Sequence, residues 1–313
     1  MNLFATVLTY PAPSANYRGE SELNRSVIQK VTDGRFDYPI FSPESMRNAL
    51  RETLADEGYK LPCNRKRVEP LAGDEKTQLA VKFDEFPDPD KYADDFFFGY
   101  LLAVKGKDLE NLRKARGKQF PLKRDSVLRM NLAKGLEPYR HNAVFTQSPK
   151  LAAGNPWKVG EAEGGTSSAL LHRETAVTAF QYPFALNLND CKAKPDWTRK
   201  LLKAIGELNE VAGNHARSYF EMAPASILLR LTESLVAGYN TYCFKADGKL
   251  PDVVEDILAG DFSGAAKEFY LGGEIVKRGL TEGQAQRLRQ AGVTLERDPR
   301  KTLNTVAEKA LGG

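Results

Sequence analysis

The chain has 313 residues, of which 42% are hydrophobic and 27% charged, which is the make-up of a folded globular protein and excludes a disordered or fibrous one. Its 45 Lys and Arg against 41 Asp and Glu leave a net charge of +4, too small to announce a polyanionic partner by itself. No apolar run approaches the ~18 residues of a membrane helix, and the apolar start lacks a basic leader and a cleavage site, so a first strand and a cytoplasmic protein are expected, with no membrane partner.

Residues 3–10, LFATVLTY, mix β-branched and aromatic types over one strand length. A polar, Gly-containing segment follows at 11–38. Ser42 then offers an N-cap and Pro43 a first helical position, after which Met46, Ala49, Leu50 and Leu54 recur at helical spacing. Arg47 and Arg51 share one side of that helix, where like charges repel unless an anion lies between them. The arrangement points to phosphate.

Residues 58–125, rich in Pro, Gly and charge, read as an insertion, with an apolar run at 96–104 that fits a strand or the centre of a helix. The stretch 74–96 has eight acidic residues against three lysines and reads as a solvated face. Asp84, Glu85, Asp94 and Asp95 in it have no basic or histidine neighbour in sequence. Residues 111–175 carry twelve basic residues against five acidic ones, interleaved with candidate sheet residues. Two strand-like stretches, 127–136 and 169–186, flank a Pro- and Gly-containing segment at 147–165 that fits a protruding hairpin. A second amphipathic helix carries Trp197, Leu201, Ile205, Leu208 and Val211, with Gly213 and Asn214 as its C-cap. A further strand pair is predicted at 215–220 and 227–231. The final third reads as helical, with caps at Thr281 and at Asp298 and Pro299. Strand, helix, strand, hairpin, strand, helix, strand is the order of an α+β ferredoxin-like βαββαβ fold, whose open sheet face and nearby loops hold single-stranded RNA in RRM-like proteins.

Three cysteines, Cys63, Cys191 and Cys243, lie too far apart for a disulfide framework, and with three histidines they show no metal-ligand spacing. No metal or other cofactor is expected. G-x-S-x-G, H-E-x-x-H and a P-loop are all absent. His215 is the one candidate general base, and its neighbours Arg217 and Ser218 suit a phosphate contact as well as catalysis. The tract VLRMNLAKGLEPYRHNAVF at 127–145 sets Arg129, Asn131, Lys134, Arg140, His141 and Asn142 among apolar alternates, the donors a backbone-directed RNA surface needs.

In order along the chain, NYRGESELNRSV, YPIFSPESMRNALRETL, VLRMNLAKGLEPY, TSSALLHRETAVTAFQYPFALNL and GNHARSYFEMAPASILLRLT resemble the Cas-seven family in its DevR form, the backbone subunit of type I, I-B-like, CRISPR effector complexes. The resemblance implies an RRM-like palm (1–57 and 126–250), a helical fingers insertion (58–125), a β-hairpin thumb (147–165) and a C-terminal helical segment (251–313). It implies a scaffold without catalysis that polymerises head to tail on a guide RNA, kinks it at regular intervals and offers it to target DNA. The implied partners are the guide RNA, copies of itself, a Cas-five type cap, large and small subunits and a repeat-processing endonuclease. Guide contacts are implied for Asn16, Arg18, Asn24, Ser45, Arg47, Arg51, Arg129, Asn131, Lys134, His141, Asn142, Ser167, Arg173, Asn214, His215, Arg217 and Ser218. Related type III backbone subunits cut target RNA with an Asp before the first helix. The matching stretch 24–28 has no carboxylate, and Asp33 and Asp37, farther along, carry the rival reading of a metal-dependent ribonuclease. A guide-independent regulator is the third reading.

Overall fold

The computed structural model describes residues 1–22, 25–68, 80–147, 170–209, 211 and 220–312. The first strand, Asn2–Leu8, is central: it pairs antiparallel with Phe180–Asn187 on one side and with Ser226–Thr232 on the other. Beyond Phe180–Asn187 run two short strands, Leu128–Met130 and Ala133–Gly135, both antiparallel to it, and beyond those lies Phe36–Phe41. The predicted strand at 127–136 is therefore broken at Asn131 and Leu132. At the other edge, Phe269–Gly273 pairs antiparallel with Ser226–Thr232, and Thr294–Glu296 adds in parallel, making one large mixed sheet. Residues 251–313 are thus not helical alone, because two of their strands complete this sheet. Glycines permit it: a β-carbon on Gly272 would strike the side chain of Thr302, and Gly273 turns at φ +88° against the backbone of Ala225.

The first helix, Pro43–Ala55, starts as predicted, with the Ser42 side chain accepting from the Ser45 amide. Its residues Met46, Ala49, Leu50 and Leu54 share one core with Leu201, Leu202 and Ile205 of the helix Pro195–Gly206 and with Leu303 and Val306 of the last helix, Pro299–Leu311. All pack on the sheet face that carries Leu3, Ala5 and Val7. The helix Pro195–Gly206 ends at Glu207, short of the predicted cap at Gly213 and Asn214, which lie outside the described residues. The helices starting after Thr281 and Asp298 are capped as predicted.

The opposite face differs from expectation. An open sheet face was predicted, but Cys243, Phe244, Val253, Val254 and Ile257 form a second core on Leu228, Phe269 and Leu271. Polar ties fix this cover: Thr6 Oγ1 donates to the Thr241 carbonyl (2.8 Å), and the Gln181 side chain exchanges two hydrogen bonds with the Phe244 backbone. That part of the sheet is unavailable to a stacked base.

Two regions differ from the sequence reading among their described residues. The polar segment 11–38 forms short strands at Ala12–Ser14, Tyr17–Glu22, Arg25–Ile28 and Lys30–Asp33. The insertion holds a hairpin of Arg65–Val68 with Ala80–Phe83, a buried helix Ala93–Phe98 and the helix Gly106–Arg116, so it is mixed in structure where helix was expected.

Candidate nucleic-acid interface

The described foot of the predicted hairpin is an antiparallel ladder of Ala143–Gln147 with Leu170–Glu174; residues 148–165 of the hairpin lie outside the described residues. The ladder sets Phe145 opposite His172, and their rings stack with centroids 4.6 Å apart and planes within 5°. Phe145 is 65% exposed, an aromatic face held flat in water. At the same strand's end Glu174 is only 1% exposed, and it accepts from the Ile28 amide (3.3 Å) and from Lys30 Nζ (3.4 Å), with His141 Nδ1 at 3.9 Å. Lys30 also lies 4.3 Å above the Tyr139 ring.

Leu170–Glu174 pairs in parallel with Arg25–Ile28, through His172 with Arg25 and Arg173 with Ser26. This pairing joins two distant sequence blocks, and the Lys30 to Glu174 contact, 144 residues apart, lies beside it. His141 and Asn142, just before this ladder, are exposed and Arg173 in it is half-buried; Arg129, on Leu128–Met130 of the large sheet, is exposed. Asn131 is exposed too, its side-chain oxygen accepting from the Leu132 amide (2.8 Å). Lys134 is engaged in an ion pair with Asp33 and lies 4.4 Å above the Tyr38 ring. Asp37 accepts from Thr32 Oγ1 (2.7 Å). Each rival catalytic carboxylate thus has one partner within the chain and stays exposed.

Two predicted contacts are interior. Asn16 is 5% exposed and donates to the Ile40 carbonyl (2.7 Å), fixing the start of the polar segment. Arg51 is 8% exposed; its Nε donates to Asp94 (3.2 Å), and Phe98 lies under its guanidinium. Burial pulls the Arg51 pKa below the usual guanidinium range, Asp94 pushes it back up, and the charge of Arg65 lowers it again. The anion inferred between Arg47 and Arg51 is thus supplied by the protein: Asp94 for Arg51 and Glu44 for Arg47, which also donates to Ser126 Oγ (3.2 Å). Ser45 is half-buried against Ser42.

The acidic stretch is corrected by the same contacts. Asp94 and Asp95 are each 2% exposed and are no solvated face. Asp94 accepts from the amides of Asn64 (2.8 Å) and Arg65 (3.0 Å) as well as from Arg51. One oxygen of Asp95 accepts from Asn64 Nδ2 and from the Asp88 amide, both at 2.9 Å. Asp94 fastens the insertion to the first helix through Arg51, and Asp95 ties the insertion to itself. Of the remaining predicted contacts, Asn24, Ser167, Asn214, His215, Arg217 and Ser218 lie outside the described residues, and for Arg18 only the backbone is described, in the strand Tyr17–Glu22. Sequence reasoning passed over Phe145, Glu174, Arg65 and Arg124. Phe145 was signalled by its place in the alternating AVFTQ strand; the others acquire meaning only from distant partners.

No family model matches the sequence. Among curated proteins, the CRISPR-associated protein Cas7/Cst2/DevR of Myxococcus xanthus (strain DK1622) is 27% identical over 289 residues, spanning 88% of each chain. Nearly the whole chain is similar to that protein. The resemblance to the Cas-seven family read from five sequence blocks is borne out at the level of the family, and its I-B-like subtype is untested. Two solved structures share the fold: a chain of a CRISPR RNA-guided surveillance complex in a pre-nicking state (TM-score 0.62, 10% identity) and a chain of another CRISPR RNA-guided surveillance complex (TM-score 0.54, 11% identity), each alignment covering 99% of this chain and 100% of the other. The mixed α+β architecture, with its large sheet, is that of these chains.

Proposed function

We propose that this Cas7/Cst2/DevR relative is a non-catalytic backbone subunit of a CRISPR surveillance complex, which coats a guide RNA head to tail and presents it to target DNA. The observation that carries the reading is the sequence relationship running through 88% of both chains. The order of four antiparallel strands, Ser226–Thr232, Asn2–Leu8, Phe180–Asn187 and Leu128–Met130, with two helices on one face, supports a ferredoxin-like palm at 1–57 and 126–250. In this reading 58–125 is the fingers insertion, 147–165 the thumb that kinks the guide, and 251–313 an extension of the palm.

The covered sheet face directs RNA to the rim, where His141, Asn142 and Arg173 lie on or next to the ladder that carries the exposed ring of Phe145, and Arg129 and Asn131 add exposed donors on and beside the strand Leu128–Met130 of the large sheet. Such donors favour phosphate and ribose, leaving sequence to base pairing. Partners in the same reading are further copies of the chain, a Cas-five type cap, large and small subunits and a repeat-processing endonuclease. A head-to-tail contact that does not close makes a filament whose length the RNA decides.

The test is the nucleic acid that copurifies when the chain is produced with its neighbouring genes. Short RNAs of discrete length with repeat flanks are expected. RNA of random sequence, or none, would overturn the guide-scaffold reading. Magnesium-dependent cleavage of guide-paired RNA that is lost in both Asp33→Ala and Asp37→Ala would overturn the non-catalytic part.

A further inference from the structure

Between the first helix and the insertion lies a cavity of about 760 Å³ whose lining has a lopsided charge: Arg47, Arg51, Arg65, Lys123 and Arg124 against Glu44 and Asp125. Asp94 holds Arg51 and Glu44 holds Arg47, which accounts for two of the cations. Arg65, Lys123 and Arg124 have no ion pair among the described residues, and the Nε atoms of Arg65 and Arg124 are buried without any hydrogen-bond partner. A buried donor left unmade and guanidinium groups crowded together both disfavour the folded state, so the arrangement is one that an anion would complete.

The backbone of Arg65 and the side chain of Arg124 are anchored. The Arg65 amide donates to Asp94, and the guanidinium of Arg124 is 5.5 Å from the centre of the Phe96 ring. Gly99, at φ +65°, lets the chain pass so close to the backbone of Arg124 and Asp125 that a β-carbon there would collide with it, which keeps the two walls together. Tyr100 lines the cavity, and Leu101 beside it is 76% exposed. Fixed arginine forks next to an aromatic and an apolar side chain suit a phosphodiester with its sugar and base, more than the carboxylates of an acidic peptide.

We infer that Arg65, Lys123 and Arg124 form a second phosphate-binding cleft, which takes the backbone of a single nucleic-acid strand on the insertion side of the first helix. The inference rests on the nucleic-acid-binding reading and adds a site to it. The strand is either the guide or the paired target, since both present the same phosphodiester.

The experiment uses the full chain in its assembled complex, comparing wild type with Arg65→Gln/Arg124→Gln and with Arg65→Lys/Arg124→Lys. One arm measures guide RNA retained per chain as salt is raised, and the other measures binding of guide-complementary single-stranded DNA. A 20-nucleotide polyuridine on the isolated full chain serves as a third probe. The glutamine pair is expected to weaken one of the first two arms about tenfold or more at physiological salt and to lower its log–log salt slope by about 1.4, near 0.7 per lost contact on a single strand. The lysine pair should restore most of both. Loss in the guide arm names the guide as occupant, and loss confined to the target arm names the target.

Unchanged binding and slope in all arms, with an unchanged melting temperature, would overturn the cleft. Loss of a protein subunit with both nucleic-acid arms intact would overturn it in favour of an acidic partner. A melting temperature lowered equally in the glutamine and lysine pairs, with nucleic acid lost from both, would also overturn it, since the arginines would then act on folding. Polyuridine distinguishes this failure from failure of the guide reading: a slope reduced for polyuridine while wild type holds no repeat-flanked RNA keeps the cleft and discards the guide.

Discussion

Two carboxylates in this protein are equally buried and differently held. Asp94 receives two backbone amides and a guanidinium that is itself buried. Among the described contacts Glu174 accepts from an amide at 3.3 Å and from a lysine, and faces a histidine that is 57% exposed. The first has donors fixed by the fold and joins two parts of the chain, while the second has partners that reach the surface beside the exposed Phe145 ring. A charge closed in by fixed donors belongs to architecture, and one whose partners lead outward belongs to the rim where a ligand arrives.

The contrast is broken most directly at Asp94. Asp94→Ala leaves Arg51 buried without a counter-charge and two amides without acceptors, so a loss of ~3–5 kcal/mol is expected in denaturant unfolding. Replacing Arg51 as well, Arg51→Met with Asp94→Ala, should recover part of that loss, and a double-mutant cycle measures the coupling. If Asp94→Ala costs no more than a surface substitution, the insertion is not fastened here.

Glu174→Gln should cost less, ~1–2 kcal/mol, because the amide oxygen keeps one acceptor and Lys30 reaches water. The variant tests whether the two sites differ at all. Equal losses at Asp94 and Glu174 would remove the distinction between them.

Asp95 sharpens the comparison from the opposite direction. Burial raises its pKa, partly offset by the Asp88 amide and Asn64 side chain, and the neighbouring Asp94 charge raises it further. A raised folded-state pKa means that the folded protein binds the proton more tightly, so stability from this group falls as pH rises from the unfolded carboxylate value through the folded one. Both donors meet one oxygen, which an asparagine retains. Asp95→Asn is therefore expected to be neutral or stabilising by up to ~1 kcal/mol at neutral pH, and to remove that fall from the pH-stability curve. A clear loss of stability would show that Asp95 acts as a charge.

These sites also show which parts of the molecule are legible in sequence. The first helix is legible because Ser42, Pro43, Met46, Leu50 and Leu54 act within a few residues of one another, through a cap and a 3.6-residue period. Arg51 and Asp94 are 43 residues apart, and no local pattern marks them as partners, so Arg51 reads as a phosphate contact and Asp94 as surface. The strands at 17–33 escape because they are short and mostly polar, two on a small sheet and Lys30–Asp33 at the edge of the large one, and so carry little apolar alternation. Phe269–Gly273 escapes because its two glycines look like a break, whereas they admit Thr302 and the Ala225 backbone. The five family blocks were legible for another reason: they record a relationship whose physical basis the single sequence does not display.

The smallest stability effect is expected at the rim, at Phe145. Its ring is 65% exposed and its one packed face lies on His172, so Phe145→Ala should change unfolding free energy by only ~0.5 kcal/mol. RNA retention should respond far more, because a stacked base contributes ~1–3 kcal/mol when its aromatic partner is present. That corresponds to a loss of roughly five- to more than a hundredfold in affinity, with the salt slope unchanged because no phosphate contact is removed. Phe145→Trp should keep the affinity and Phe145→Leu should not, since packing on His172 survives in both and a π-face only in the first. The unchanged slope separates this residue from Arg65 and Arg124, whose loss lowers it. If Phe145→Ala lowers stability and leaves RNA retention intact, the stacked pair is a brace for the hairpin, and Glu174 beside it joins Asp94 among the residues that hold the fold together.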